Sequence, residues 1–265
     1  MKVDYHNFAE LEHANYAAMQ PMVEVTPGME LRMRPDVLLI SNPSLPLPDV
    51  NHACLLRTTP DAAPALVDEI VEYFHAKEVT PTIYLSPACT PANLGDLLIE
   101  RGFSPQKEQE AWLVLDGAQA ARLAKPSSDV EMRAITKEEI EIFVNIFLQA
   151  FGMPLDYAPF MADAMRPSVQ LPNLRHYVAF MKGKPAGVCT ALIYHNLIIL
   201  GSAGILPQYR GRKVLETMGC VLFAEWAPTQ LDTALFQTTS GALFQRYLHF
   251  VGLKTVSTRT CYTLQ

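Results

Sequence analysis

The sequence has no apolar run approaching the roughly 20 residues that a membrane-spanning helix requires, so no membrane partner is expected. Its first stretch, Met1 to Glu12, is polar and carries acids. That is neither a secretory signal nor a basic transit sequence, and the expected compartment is cytoplasmic. Cysteine is sparse: Cys54, Cys89, Cys189, Cys220 and Cys261 are scattered, odd in number and never in a CxxC pair. This argues for a reducing compartment and against a disulfide framework or structural zinc, and each cysteine is expected to act as a small buried hydrophobe. Basic charge is short as well, with 21 Lys and Arg against 27 Asp and Glu and a net charge of −6. Nucleic acid is therefore not an expected partner. There is no metal-ligand cluster, no Ser-His-Asp order, no Walker loop and no cysteine in a nucleophile motif.

What is present is enough for a folded protein. Of 265 residues, 49% are hydrophobic and 18% charged, which excludes disorder and allows one large domain or two small ones. The acidic balance suits a cationic substrate, and equally keeps an ordinary protein in solution. The stretch Gly117 to Val130, closing in Lys-Pro-Ser-Ser-Asp-Val, reads as a linker between two halves. Asn42 to Asp49 carries three prolines in eight residues and reads as a surface loop.

In the first half, helices are expected over Phe8 to Met19, Ala63 to Phe74 and Asn93 to Arg101, the last capped by Gly102. Strands are expected over Val37 to Ile40, Ala53 to Arg57, Thr82 to Leu85 and Ala111 to Leu115. In the second half, strand Val130 to Ala134 precedes a helix opened by Thr136 and Glu139 in capping-box spacing and running to about Ala150. Strands His176 to Met181, Ala186 to Tyr194 and Leu197 to Ile205 follow, with tips at Gly183-Lys184 and His195-Asn196. Helix Arg212 to Trp226, strand Thr233 to Gln237, helix Gly241 to His249 and strand Thr255 to Tyr262 complete the chain. Both halves close with a short helix, a glycine and a β-run, which reads as a weak internal duplication, though the same succession is common in any α/β protein.

One segment carries chemistry. Leu197 to Cys220 reads strand, short loop, helix, and Arg210, Gly211, Arg212 and Lys213 fill the loop. Val214, Leu215, Met218, Val221 and Leu222 share one face of the helix after it. Free N–H groups and the positive end of the helix dipole would point into that loop beside three cations, a site fit for a diphosphate. A solvated basic turn has the same spacing.

The run Ala203-Gly-Ile-Leu-Pro-Gln-Tyr-Arg-Gly-Arg212 resembles the cofactor motif of the GNAT superfamily of N-acetyltransferases. The resemblance implies an α/β (α+β) chain of two tandem GNAT-like domains, each a mixed central sheet flanked by helices. Residues 1–120 would form a degenerate domain and residues 128–265 the acetyl-CoA-binding catalytic domain. It implies that Ala203, Gly204 and Ile205 face the pantetheine arm and that Arg210, Gly211, Arg212, Lys213, Val214 and Leu215 surround the phosphates. Lys213 and Leu215 stand where the family has small residues, glycine foremost, and Lys213 can replace close backbone approach with charge. Ser240 precedes Tyr247 by seven positions, a spacing similar to the family's second motif. The resemblance makes Ser240 a cofactor contact and Tyr247 the catalytic acid, while the residue pattern alone also fits a core aromatic. No metal is implied.

The implied activity is transfer of an acetyl group from acetyl-CoA to a small-molecule or peptide amine. The alternative is a non-catalytic acyl-CoA-binding regulator, and a third reading is a partner-binding protein. No Asp or Glu lies between Asp163 and Glu216 to act as a base, and His195 on its turn is expected to face solvent. Asp156, Tyr157 and Asp163 fall on the substrate side of the resemblance. The pattern leaves the oligomeric state open.

Overall fold

Stretches with a 3.6-residue apolar period form helices and β-branched runs form strands in a computed structural model, which describes residues 2–45, 47–116, 126–226 and 231–265. The first half contains α1 (Phe8–Val25), β1 (Glu30–Met33), β2 (Leu38–Ser41), β3 (His52–Cys54), α2 (Ala63–His75), β4 (Thr82–Leu85), α3 (Leu94–Glu100), β5 (Phe103–Pro105) and β6 (Glu110–Asp116). The second contains β7 (Val130–Ala134), α4 (Ile140–Phe151), α5 (Ala158–Met165), β8 (Leu174–Met181), β9 (Lys184–Tyr194), β10 (Leu197–Ile205), α6 (Val214–Trp226), β11 (Thr233–Thr239), α7 (Leu243–Phe250) and β12 (Lys254–Leu264).

The chain divides into an N-terminal unit (Asp4–Leu113, Gln237–His249, Thr255–Gln265) and a C-terminal unit (Met1–Val3, Val114–Phe236, Phe250–Lys254). These units differ from the halves 1–120 and 128–265 that the sequence implies, because the end of the chain belongs to the N-terminal unit. There β12 pairs antiparallel with β4, from Thr260↔Leu85 to Thr263↔Thr82, and with β5, from Tyr262↔Pro105 to Leu264↔Phe103. A buried ion pair fixes that placement. Arg259 on β12 is 3% exposed and donates to Glu12 Oε1 (2.9 Å) and Glu110 Oε2 (2.7 Å). Its guanidinium also lies 4.5 Å from the ring of Tyr84 and 4.8 Å from that of Trp112. A buried cation is tolerated only with such partners.

In the N-terminal unit the strands run β1-β2-β3-β4-β12-β6, with β5 beside β12. Leu66, Val67, Ile70 and Phe74 of α2 pack with Ile83, Leu94, Leu98 and Phe103 in its core. Two expectations need correction here, and one strand, β1, was not expected. The strand expected over Ala53 to Arg57 ends at Cys54, because Leu55 turns left-handed at φ +53°. The first helix runs past Met19 and through Pro21 to Val25, where Thr26 caps it. The edge strand β1 gave no signal over its four half-buried and exposed residues.

In the C-terminal unit the order is β11-β10-β9-β8-β7, antiparallel except for the parallel pair β10–β11. The first hairpin tip is Lys182-Gly183, one residue earlier than expected, because a two-residue turn here needs positive φ at both positions (+50° and +76°). The capping box forms at Thr136 and Glu139, and one 3-10 turn leads into α4. The Arg133 guanidinium, bonded to Glu139, holds its carboxyl down to about 2. α4 ends at Gly152, left-handed at φ +69°, with Met153 N–H donating back to Leu148 O (2.8 Å). Of the expected linker, residues 117–125 lie outside the described residues.

Candidate functional site

The geometry around β10 is built by a break in its own ladder. Its parallel register with β11 runs from Leu197↔Thr233 to Leu200↔Phe236. Its register with β9 shifts between Gly201 and Gly204, where Ser202 takes φ +50°, and resumes at Gly204↔Val188 and Ile205↔Gly187. This is a β-bulge, which bends the strand and re-aims its backbone groups. Gly204 and Ile205 are thus held by β9 on one edge, with Ala203 inside the bulge, and no strand of this unit is registered on the other among the described residues.

Gly204 sits here because nothing larger fits. A Cβ at this position would lie 2.8 Å from Ala150 Cβ and 3.0 Å from Phe151 Cε2, at the end of α4. The bulge and the α4 C-terminus are therefore in direct contact.

After β10 the chain makes a 3-10 turn, Pro207–Tyr209, then a loop with φ +74° at Gly211 and +59° at Lys213. Those left-handed residues move the start of α6 to Val214, two residues later than expected. Thr217 N–H donates to Lys213 O (3.0 Å), the first bond of the helix. The N–H groups of Lys213, Val214, Leu215 and Glu216 therefore precede the helical ladder. Among the described residues no protein acceptor takes them, nor the Gly211 N–H. Gly211 has open space where a Cβ would stand. Val214 is buried and Leu215 half-buried; Gly211, Arg212 and Lys213 are exposed. The turn thus offers unpaired donors, a helix dipole and two exposed cations to an anion.

Arg210 faces elsewhere. Its Nη2 donates to Ala150 O (2.9 Å) and its Nε to Ile205 O (3.3 Å), so its guanidinium ties the end of β10 to the negative end of α4. Sequence reasoning missed Ala150 and Phe151 in this site. No local pattern announces them, since both contacts are tertiary.

The structure brings together Ala203, Gly204, Ile205, Arg210, Gly211, Arg212, Lys213, Val214 and Leu215 in the C-terminal unit. Ser240 and Tyr247 belong to the N-terminal unit. Ser240 N–H donates to Gln109 O (2.7 Å), and Gly241 N–H to Gln245 Oε1 (2.6 Å) at the head of α7. Tyr247 is half-buried, its ring parallel to that of Phe244 at 6.4 Å.

A buried polar chain, also unseen in the sequence, lies in the C-terminal unit. Ser168 Oγ donates to Met165 O (2.6 Å) and so accepts from His176 Nε2 (2.9 Å), leaving His176 Nδ1 to accept from Thr190 Oγ1 (2.9 Å). Burial pushes the His176 imidazole down to about 4, so it is neutral at pH 7. With both nitrogens engaged and Ser168 1% exposed, this is neither a base nor a nucleophile. His195 stands exposed on its hairpin tip at φ +53°, as its turn position implies. Asp156 and Asp163 are exposed, Asp163 lying 3.7 Å from Arg166.

No protein-family model matches the chain, and no curated protein matches it in sequence. Solved structures match it in fold. A GCN5-related N-acetyltransferase from Kribbella flavida superposes with a TM-score of 0.68 at 15% identity, over 96% of this chain and 94% of that one. A tandem GNAT protein from the clavulanic acid biosynthesis pathway gives 0.65 at 11% identity, over 94% and 86%. A functionally unknown conserved protein from Staphylococcus epidermidis gives 0.70 at 14% identity, over 90% and 94%.

Proposed function

We propose that this chain, whose fold is that of the tandem GNAT N-acetyltransferases, transfers an acetyl group from acetyl-CoA to an amine. One observation carries the reading: the bulged edge of β10 leads directly into a turn whose five N–H groups have no protein acceptor among the described residues. The donor set fits an extended amide arm ending in a diphosphate. Backbone groups of Ala203, Gly204 and Ile205 would hold the arm. The N–H groups of Gly211 and of Lys213 to Glu216, with the Arg212 and Lys213 side chains, would hold the phosphates.

Bound acetyl-CoA supplies an activated acetyl carbon: the amine nitrogen bonds to it, the carbon–sulfur bond breaks, and the sulfur leaves with the electron pair. The chain's own part is positional and electrostatic. A strand N–H of the bulged edge polarises the carbonyl oxygen. The resemblance, through the spacing of Tyr247 from Ser240, assigns its hydroxyl as the group that would give a proton to the departing sulfur. With no Asp or Glu between Asp163 and Glu216 and His176 buried and engaged on both nitrogens, the proton lost by the amine passes to water, and water returns one to the tyrosine.

A second reading, a regulator that binds acyl-CoA without turnover, is favoured by the non-glycine residues Lys213 and Leu215 in the loop. Incubation of the full chain with acetyl-CoA and a panel of amines, followed by free-thiol detection, separates the two. Amine-dependent thiol release and an acetylated product are expected. CoA binding without thiol release for any amine would replace the first reading with the second, and absence of CoA binding would remove both.

A further inference from the structure

Of nine exposed large apolar side chains among the described residues, four fall between positions 151 and 160: Phe151 (53% exposed), Leu155 (49%), Tyr157 (42%) and Phe160 (41%). Exposed apolar residues grouped on neighbouring elements mark an interaction or ligand site, whereas singly scattered ones need no explanation. All four belong to the C-terminal unit, at the end of α4, in the 3-10 turn Leu155–Tyr157 and at the start of α5. These three elements pack on one another. The turn at Gly152 ends α4 with Phe151 outside the core, its ring 4.7 Å from that of Phe147. Phe151 is also the residue against which Gly204 has no room for a side chain. Phe151, at the start of this group, therefore borders the bulged edge of β10.

The segment itself carries charge of one sign. Residues 151–163 carry Asp156 and Asp163 and no Lys or Arg. Two cations stand nearby: Arg166, shared between Asp163 (3.7 Å) and Glu141 (3.4 Å), and Arg210, engaged by the carbonyls of Ala150 and Ile205. Such a surface repels an anion and draws one ammonium group. A polyamine or an aminoglycoside-like polycation needs several carboxylates and little apolar area, which is the reverse of what stands here.

We propose that the acceptor is a small primary amine carrying an aromatic ring. The ring lies on Phe151, Leu155, Tyr157 and Phe160, and the ammonium is drawn to Asp156. This rests on the acyl-transfer reading for the destination of the amine, but the binding surface stands on its own observations. Aromatic faces favour a ring over a flexible alkyl chain, through offset or edge contacts.

The test is binding to the full chain, with and without CoA, of phenylethylamine and spermidine, followed by saturation-transfer NMR. Phenylethylamine is expected to bind at least about tenfold more tightly than spermidine. The variants Tyr157→Ser and Phe160→Ser, both at exposed positions, should each weaken it about tenfold, the scale of one lost apolar contact in a pocket. CoA affinity and thermal unfolding should not change in them. Acetylation rates should then follow the same order as binding. Spermidine preferred over phenylethylamine would overturn the proposal, as would serine variants that bind phenylethylamine like the wild type. So would a dimer that dissociates in those variants with amine binding untouched, since the patch would then be a self-interface. Tyr157-dependent phenylethylamine binding in a chain that binds no CoA would keep the site and reject the acyl-transfer reading.

Discussion

Gly204→Ala tests the contact that joins the bulge to α4. The new Cβ would stand 2.8 Å from Ala150 Cβ and 3.0 Å from Phe151 Cε2. The phenyl ring, 53% exposed, can swing aside. Ala150 Cβ cannot, because it is fixed to the helix backbone, so strand or helix must shift. Overpacking of this kind costs about 1–3 kcal/mol. Ala150→Gly alone costs about 1 kcal/mol in helix propensity but removes the obstructing atom. The double variant should therefore lose only about 1 kcal/mol, against about 2–4 if the two losses added, a coupling of about 1–3 kcal/mol. Urea unfolding followed by circular dichroism reads all four corners of the cycle. In thermal scans Gly204→Ala should unfold about 2–4 °C lower per kcal/mol lost. Phe151→Ala should rescue little. Additivity within about 0.5 kcal/mol, or a Gly204→Ala protein as stable as the wild type, would refute the close approach.

Three further outcomes are expected. Arg210→Ala should lower stability by about 0.5–1.5 kcal/mol and weaken CoA binding equally at low and high salt, because its guanidinium holds carbonyls; a loss that shrinks with salt would make it a phosphate ligand instead. Tyr247→Phe should lower kcat about 10²–10⁴-fold with CoA affinity unchanged, in steady-state kinetics beside CoA titration; an unchanged kcat would leave the ring a packing residue. Stability should fall as pH drops from about 6.5 to about 4, because burial holds neutral His176 down to about 4 and His52 to about 3, so the unfolded chain takes up protons that the folded one refuses. Urea midpoints across that range check it, and a His176→Gln variant should show a shallower decline.

What was legible in the sequence followed from short-range physics. The bounds of β10 and β7 and the capping box at Thr136 depend on neighbours a few residues apart. The start of α6 was misplaced because Lys213 adopts a left-handed backbone that its residue type does not announce. The placement of β12 was illegible for a stronger reason: Arg259 finds its carboxylates at Glu12 and Glu110, far away in sequence. For the same reason the carbonyl partners of Arg210, at Ala150 and Ile205, are not legible from its place in the loop. The exposure of Phe151, Leu155 and Phe160 was not legible either, because it is set by how α4 and α5 pack in three dimensions.

The central claim is that the turn after β10 holds the phosphates of CoA. Titration calorimetry of CoA into the full chain tests it most directly, repeated at low and high salt and with Lys213→Ala. The account predicts one CoA per chain, an affinity that falls with salt, and a several-fold loss in Lys213→Ala that narrows as salt rises. No binding at millimolar CoA, or two equivalent sites per chain, would contradict it.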